Sequence, residues 1–114
     1  MSARREAALW IAQRATAVVL ALCVVVHLAT IIYAVRGGLN AADVLARTRG
    51  NYAWASFYAV FVAAAAVHGA IGLRTVAAEW LGLRGSVAEV AMTLVAIALA
   101  ATGWVAVAAV VGAP

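Results

Sequence analysis

The sequence predicts an all-α membrane protein: three transmembrane helices in a single domain over 1–114, the N-terminus cytoplasmic, with a short surface helix in the first connection. Three observations carry this. Of 114 residues, 68% are hydrophobic and 11% charged, with a mean hydropathy of +1.08. A soluble domain this small cannot hide so much apolar surface, so the bilayer must be its solvent. One crossing of the hydrocarbon takes roughly 20 apolar residues, and three stretches qualify, at about 7–35, 51–78 and 87–112. Little lies between them, which leaves no room for a soluble catalytic domain and confines any chemistry to the bundle or a partner.

The first span follows Arg4 and Arg5. Its apolar run is too long for the core of a signal peptide, so it reads as a membrane helix. Gly37 and Gly38 then stop the helix, and Asn40 with Asp43 can cap a short new one. Val44 and Leu45 let that turn lie on the membrane surface. The second span runs from about Asn51 into Glu79-Trp80. The next connection is tight, Gly82-Leu83-Arg84-Gly85-Ser86, and Ser86 with Glu89 has the spacing of a capping box for the third span. That reading gives Glu89 a structural place at the interface and no chemistry.

Net charge is +4 and pI about 10.2, yet no dense basic run suggests nucleic acid; the arginines punctuate helix ends. Arg4, Arg5 and Arg84, with Arg14 and Arg74 nearby, lie on the side of the N-terminus, against Arg36, Arg47 and Arg49 on the other. The positive-inside rule therefore places the N-terminus inside. Trp10 and Trp80 fit an aromatic belt on that side and Trp54 one opposite. A single cysteine, Cys23, excludes an internal disulfide and a C-x-x-C-H attachment of c-type haem. Any haem is then non-covalent.

Two imidazoles stand inside the spans, and each is costly in hydrocarbon unless something binds or satisfies it. On the second span, Phe61, Ala64/Ala65, His68, Gly72, Thr75 and Glu79 share a face. His68 can give an axial nitrogen to haem iron, with Gly72 and the alanines leaving room for the porphyrin. Arg74 lies off that face but can snorkel towards a propionate. The other reading of the same residues is a buried histidine hydrogen-bonded to a neighbouring helix, with Arg74 ending the span. On the first span Thr16, Leu20, Cys23, His27 and Thr30/Ile31 form a similar face. There Cys23 reads as packing volume, and Thr16 and Thr30 can hydrogen-bond their own backbone.

Depth bears on whether the two imidazoles share one iron. At ~1.5 Å per residue, His27 lies roughly 26 Å from Trp10 and His68 roughly 17 Å from Glu79. If Trp10 and Glu79 mark one interface, the imidazoles differ in depth by roughly 9 Å, which favours separate partners. At the inner end of the first span, Trp10, Gln13, Arg14 and Thr16 offer donors and an aromatic wall suited to a quinone. An anchoring Trp with a snorkelling Arg is the alternative there.

Taken together, these residues resemble the membrane-anchor cytochrome b subunits of the succinate dehydrogenase/fumarate reductase family. The core of the likeness is His68-x-x-x-Gly72-Leu73-Arg74 with an acidic residue at Glu79; Gln13-Arg14-Ala15-Thr16-Ala17 is similar to the family's His-Arg-x-Ser-Gly segment. The resemblance implies that His68 is a haem b axial ligand and that Arg14 lies at a quinone pocket near a propionate. In the family's di-haem anchors the first helix also carries an axial histidine, a role that would fall to His27. Gln13 departs from the pattern, replacing a histidine, and Trp10 stands where a serine is expected. The likeness further implies one or two haems b, shared with a second anchor subunit or a second copy of this chain. A flavoprotein and an iron–sulfur subunit would dock on the inner face of a bacterial-type cytoplasmic membrane. Electrons would then pass between succinate or fumarate and a membrane quinone, with the dicarboxylate touched by no residue here. The competing class is a haem-free structural anchor tethering a peripheral enzyme. A small transporter subunit fits less well, since no span is broken by proline or a central glycine pair.

Overall fold

In a computed structural model of the chain, residues 2–112 are described and form four helices in the order α1 (Ala3–Arg36), α2 (Ala41–Thr48), α3 (Tyr52–Leu81) and α4 (Gly85–Val111). Helices α1, α3 and α4 are each long and apolar enough to cross a membrane. The bundle measures 49 Å along its longest axis, enough to cover the ~40–45 Å of a bilayer with its headgroups. Each expected span extends a few residues beyond its apolar core, because polar ends continue as helix into the interface.

The middle helix organises the bundle: α3 packs against α1 on one side and α4 on the other. The buried apolar residues are mostly small, with Ala64, Ala66 and Ala70 on α3 and Ala88 on α4, joined by Cys23 on α1. Large side chains such as Leu22, Val25, Leu94 and Val105 face outwards. This inverts the soluble pattern, as expected where lipid rather than water covers the surface and close backbone approach holds helices together. Helices α3 and α4 approach closely at Gly103 of α4, where an added Cβ would stand 2.6 Å from Val62 Cγ1 of α3. Cys23 is buried packing volume, as its neighbours on the first span suggested.

Helix α2 is the expected surface helix. Asn40 and Asp43 form a reciprocal capping box, Asn40 Oδ1 accepting from the Asp43 N–H at 2.9 Å and Asp43 Oδ2 from the Asn40 N–H at 3.0 Å. Its end is tied to the end of α4: Thr48 Oγ1 donates to the Val110 carbonyl at 2.6 Å and the Gly50 N–H to that of Val111 at 2.8 Å. Asn51 caps α3 through the Trp54 N–H.

The second connection differs from expectation. Its chain reversal uses Gly82 at φ 68° and Gly85 at φ 70°, a region closed to most residues with a Cβ. Because Gly85 already opens α4, Ser86 falls inside the first turn and the predicted Ser86–Glu89 capping box does not form; no side chain caps this end. Glu89 is drawn instead to arginines on the other two long helices.

Candidate functional site

Helix α1 enters beside α3 with its inner end against the inner end of α3. Gln13 lies next to Gly72, Thr16 opposite His68, and His27 opposite Tyr58. Three groups of functional side chains follow from this register.

The first group is ionic and ties all three long helices together. Arg74 sits near the inner end of α3 with its side chain 15% exposed. Its Nε donates to Glu89 Oε1 of α4 at 3.2 Å, and its terminal nitrogen reaches Glu6 Oε1 of α1 at 3.4 Å. Arg5 completes the network through Glu89 Oε2. Placed at the membrane edge, these charges are partly desolvated, and each carboxylate offsets an arginine that would otherwise be expensive there. Arg74, expected to reach towards a propionate, thus has protein carboxylates around its guanidinium. A cavity of about 640 Å³ opens beside the cluster and is lined also by Glu79 and Arg84. Sequence reading passed over Arg5, Glu6 and Glu89 as partners. The available signal was scarcity: the chain has only four acidic residues, and Glu6 and Glu89 both fall at the inner ends of apolar runs.

The second group lies immediately above it. A cavity of about 650 Å³ between α1 and α3 is lined by Trp10, Gln13 and Arg14 from α1 and by Gly72, Arg74 and Thr75 from α3. Three of the four quinone-site candidates therefore line one cavity; Thr16 does not line it. The Arg14 guanidinium carbon stands 4.0 Å from the Trp10 ring centroid, a cation–π contact that holds the charge at the rim. Gly72 contributes space of a particular kind: a Cβ there would lie 3.4 Å from Gln13 Nε2. The glycine thus admits the Gln13 amide between the helices. Gln13 Oε1 is buried without a hydrogen-bond partner, a costly arrangement that a ligand or water with a donor would relieve.

One turn further into the membrane is His68, half-buried on α3. Its Nδ1 lies 3.2 Å from Thr16 Oγ1. Thr16 also donates to its own helix, as expected, with Ala12 O at 2.7 Å and Gln13 O at 3.1 Å. Its link to the histidine is a feature that sequence reading missed, since the two residues lie 52 positions apart.

The third group is at the outer half. His27 meets Tyr58 and Phe61 edge-to-face, with centroids 5.9 and 5.7 Å away. Tyr58 Oη is 3.5 Å from its Nδ1, at the limit of a hydrogen bond. Trp54 and Phe57 extend this aromatic cluster along α3. A cavity of about 320 Å³ beside His27 is largely apolar and is lined also by Val44 and Thr48 of α2. Thr30 bonds back to the His27 carbonyl at 2.7 Å, as its position predicted. The 54, 57, 58, 61 spacing is a helix face legible in the sequence, though its convergence on His27 is not.

The register also corrects the depth estimate. Thr16 and His27 are eleven residues apart on α1, and Tyr58 and His68 ten apart on α3, so the imidazoles are separated along the bundle by roughly 15 Å. The sequence estimate was smaller because it put Trp10 level with Glu79. In the bundle Gln13 is level with Gly72, so Glu79 lies about a turn beyond Trp10. Two axial ligands of one iron stand nearly level, and the two imidazoles of this chain are too far apart along the bundle to meet that condition.

A haem would need an axial nitrogen, a gap for the macrocycle and counter-charges. His68 is only half-buried and can supply the nitrogen from its exposed side. Among the described residues no group of three or more His, Cys, Asp or Glu could hold a bare metal ion.

The fold and these groups define a multi-pass membrane subunit whose charged side chains gather where one end of each of its three spans meets the others. The family of succinate dehydrogenase/fumarate reductase transmembrane subunits matches residues 1–111, and the chain belongs to that family. It is accordingly a membrane component of a complex of that type, assembled with other subunits in lipid. No curated protein and no solved structure matches the chain.

Proposed function

We propose that this subunit binds haem b and passes electrons between an iron–sulfur subunit and a membrane quinone, while anchoring that subunit and its flavoprotein at the inner face of a bacterial-type cytoplasmic membrane. The observation that carries the reading is the placement of His68 one turn above a cavity lined by Trp10, Gln13, Arg14, Gly72 and Arg74. An imidazole at that depth and a site for a polar-headed ring are what electron transfer to quinone requires of the protein; the redox chemistry belongs to the cofactors. Haem, when bound, supplies one-electron storage. His68 gives it an axial nitrogen, and the opposite ligand comes from a second anchor subunit or a second copy of this chain. His27 is the candidate for a second haem at the outer half. In the cavity, the Gln13 amide hydrogen-bonds the quinone or quinol head, Trp10 walls the ring, and Arg14 and Arg74 keep the mouth positive.

A second reading is favoured by two contacts: His68 is satisfied by Thr16, and Arg74 is paired with Glu6 and Glu89. On that reading the chain is a haem-free anchor. Reduced-minus-oxidised spectra of the intact complex separate the two, with b-type bands expected and their absence leaving the structural anchor. For the quinone site, Gln13→Leu should raise the KM for quinone about tenfold, the worth of one hydrogen bond at ~1.4 kcal/mol. Electron delivery to a water-soluble acceptor should be unchanged. A quinone KM equal to wild type would remove Gln13 from the site.

A further inference from the structure

The two intramembrane histidines are held differently, and the difference lies in where the hydrogens are. A threonine hydroxyl has one hydrogen to donate and two lone pairs. Thr16 Oγ1 lies 2.7 Å from the Ala12 carbonyl oxygen, a separation that two oxygens tolerate only with a hydrogen between them. That hydrogen is therefore committed to the backbone of α1. What Thr16 presents to His68 Nδ1 at 3.2 Å is a lone pair, so the ring nitrogen must be the donor. His27 has no such constraint. Its Nδ1 faces the Tyr58 hydroxyl at 3.5 Å, a group that can rotate to donate or accept.

We infer that Thr16 is a positioning residue that fixes His68 in the Nδ1–H tautomer, leaving the Nε2 lone pair as its metal-binding atom. The hydrogen bond also sets the ring's orientation from a different helix, so α1 holds the ligand that α3 carries. A neutral imidazole binds metal through the nitrogen without hydrogen, and an acceptor on the other N–H raises the basicity of the ligating one. Greater electron donation stabilises the oxidised metal. Thr16 should thus hold the haem potential down, acting through His68 without touching the iron. The functional meaning of this rests on His68 as an axial ligand; the tautomer itself does not.

The two are tested separately. In the full chain reconstituted in phospholipid bilayers with 15N-labelled histidine, without haem, His27→Ala isolates the His68 signals. One-bond N–H coupling is then expected at Nδ1. Thr16→Val, which keeps the shape but removes the acceptor, should shift the proton towards Nε2, and Thr16→Ser should restore Nδ1–H. A proton on Nε2 in the Thr16 chain, or on Nδ1 alike in all three, overturns the inference. In the assembled complex Thr16→Val should raise the haem midpoint potential, up to a tenfold change in the oxidised-to-reduced ratio, or about 59 mV for one electron, and Thr16→Ser should leave it near wild type. Equal potentials in all three would also overturn the inference. Haem that persists in His68→Ala would instead overturn the ligand reading, leaving the tautomer result intact.

Discussion

On the proposed ligand role of His68, His68→Ala is expected to abolish the b-type spectrum of an inner-half haem while the subunit still assembles. Among histidines only His27 remains, roughly 15 Å away along the bundle by helix rise, too far to substitute as an axial ligand. The loss would not be a folding artefact. Removing the ring deprives Thr16 of a donor, but its hydroxyl still donates to Ala12 O, so the truncation costs about 1–3 kcal/mol in lost hydrogen bonding and packing. Immunoblots of membranes should show the chain at near wild-type levels, and reduced-minus-oxidised spectra should show the inner signal gone. His27→Ala is the control: it leaves the inner haem in place and removes absorbance only if an outer haem is bound. Full b-type absorbance in His68→Ala would transfer the ligand role to another chain.

The fold was legible because lipid simplifies the code. Three apolar runs of sufficient length admit few arrangements, and Asn40 with Asp43 marked α2 correctly because a capping box is a local device. The Ser86–Glu89 box has equally good local spacing and fails. There a left-handed Gly85 advances the helix start, and the arginines that attract Glu89 come from sequence positions 84 and 15 residues away. Local capping loses where a charge-assisted partner is within reach. The site shows the same division. Helical periodicity put His68 and Gly72 on one face, and inner-end clustering grouped Trp10, Gln13 and Arg14. Neither told that Gly72 admits Gln13, that Thr16 faces His68, or that Tyr58 faces His27, because each depends on the register of α1 against α3. That register is set by close packing of small residues, which are too abundant in every span to specify one alignment in the sequence. Use of Trp10 and Glu79 as level markers failed for the same reason.

Glu89 is where one substitution should most disturb the inner end of the bundle. It is the hub of the ion cluster, accepting from Arg74 of α3 and Arg5 of α1 while belonging to α4. Glu89→Ala would leave Arg74 with Glu6 at 3.4 Å as a weaker remaining carboxylate contact. Breaking a fully buried pair from one side costs roughly 3–5 kcal/mol; with side chains 15% and 22% exposed, about 2–4 kcal/mol is expected here. The Arg5 arm adds little, since that side chain is 51% exposed and its pairing is weakened by water and salt. The expected result is a lower midpoint of thermal unfolding for the detergent-solubilised complex, carried mainly by the lost tie between Arg74 of α3 and α4. Glu89→Gln should recover part of the loss, because an amide oxygen still accepts from Arg74 without neutralising it. Arg74→Leu in the Glu89→Ala background should cost less than in wild type, since removing both charges relieves the burial of either. Additive losses would show that the two residues act independently and that α3 and α4 are held by small-residue packing alone.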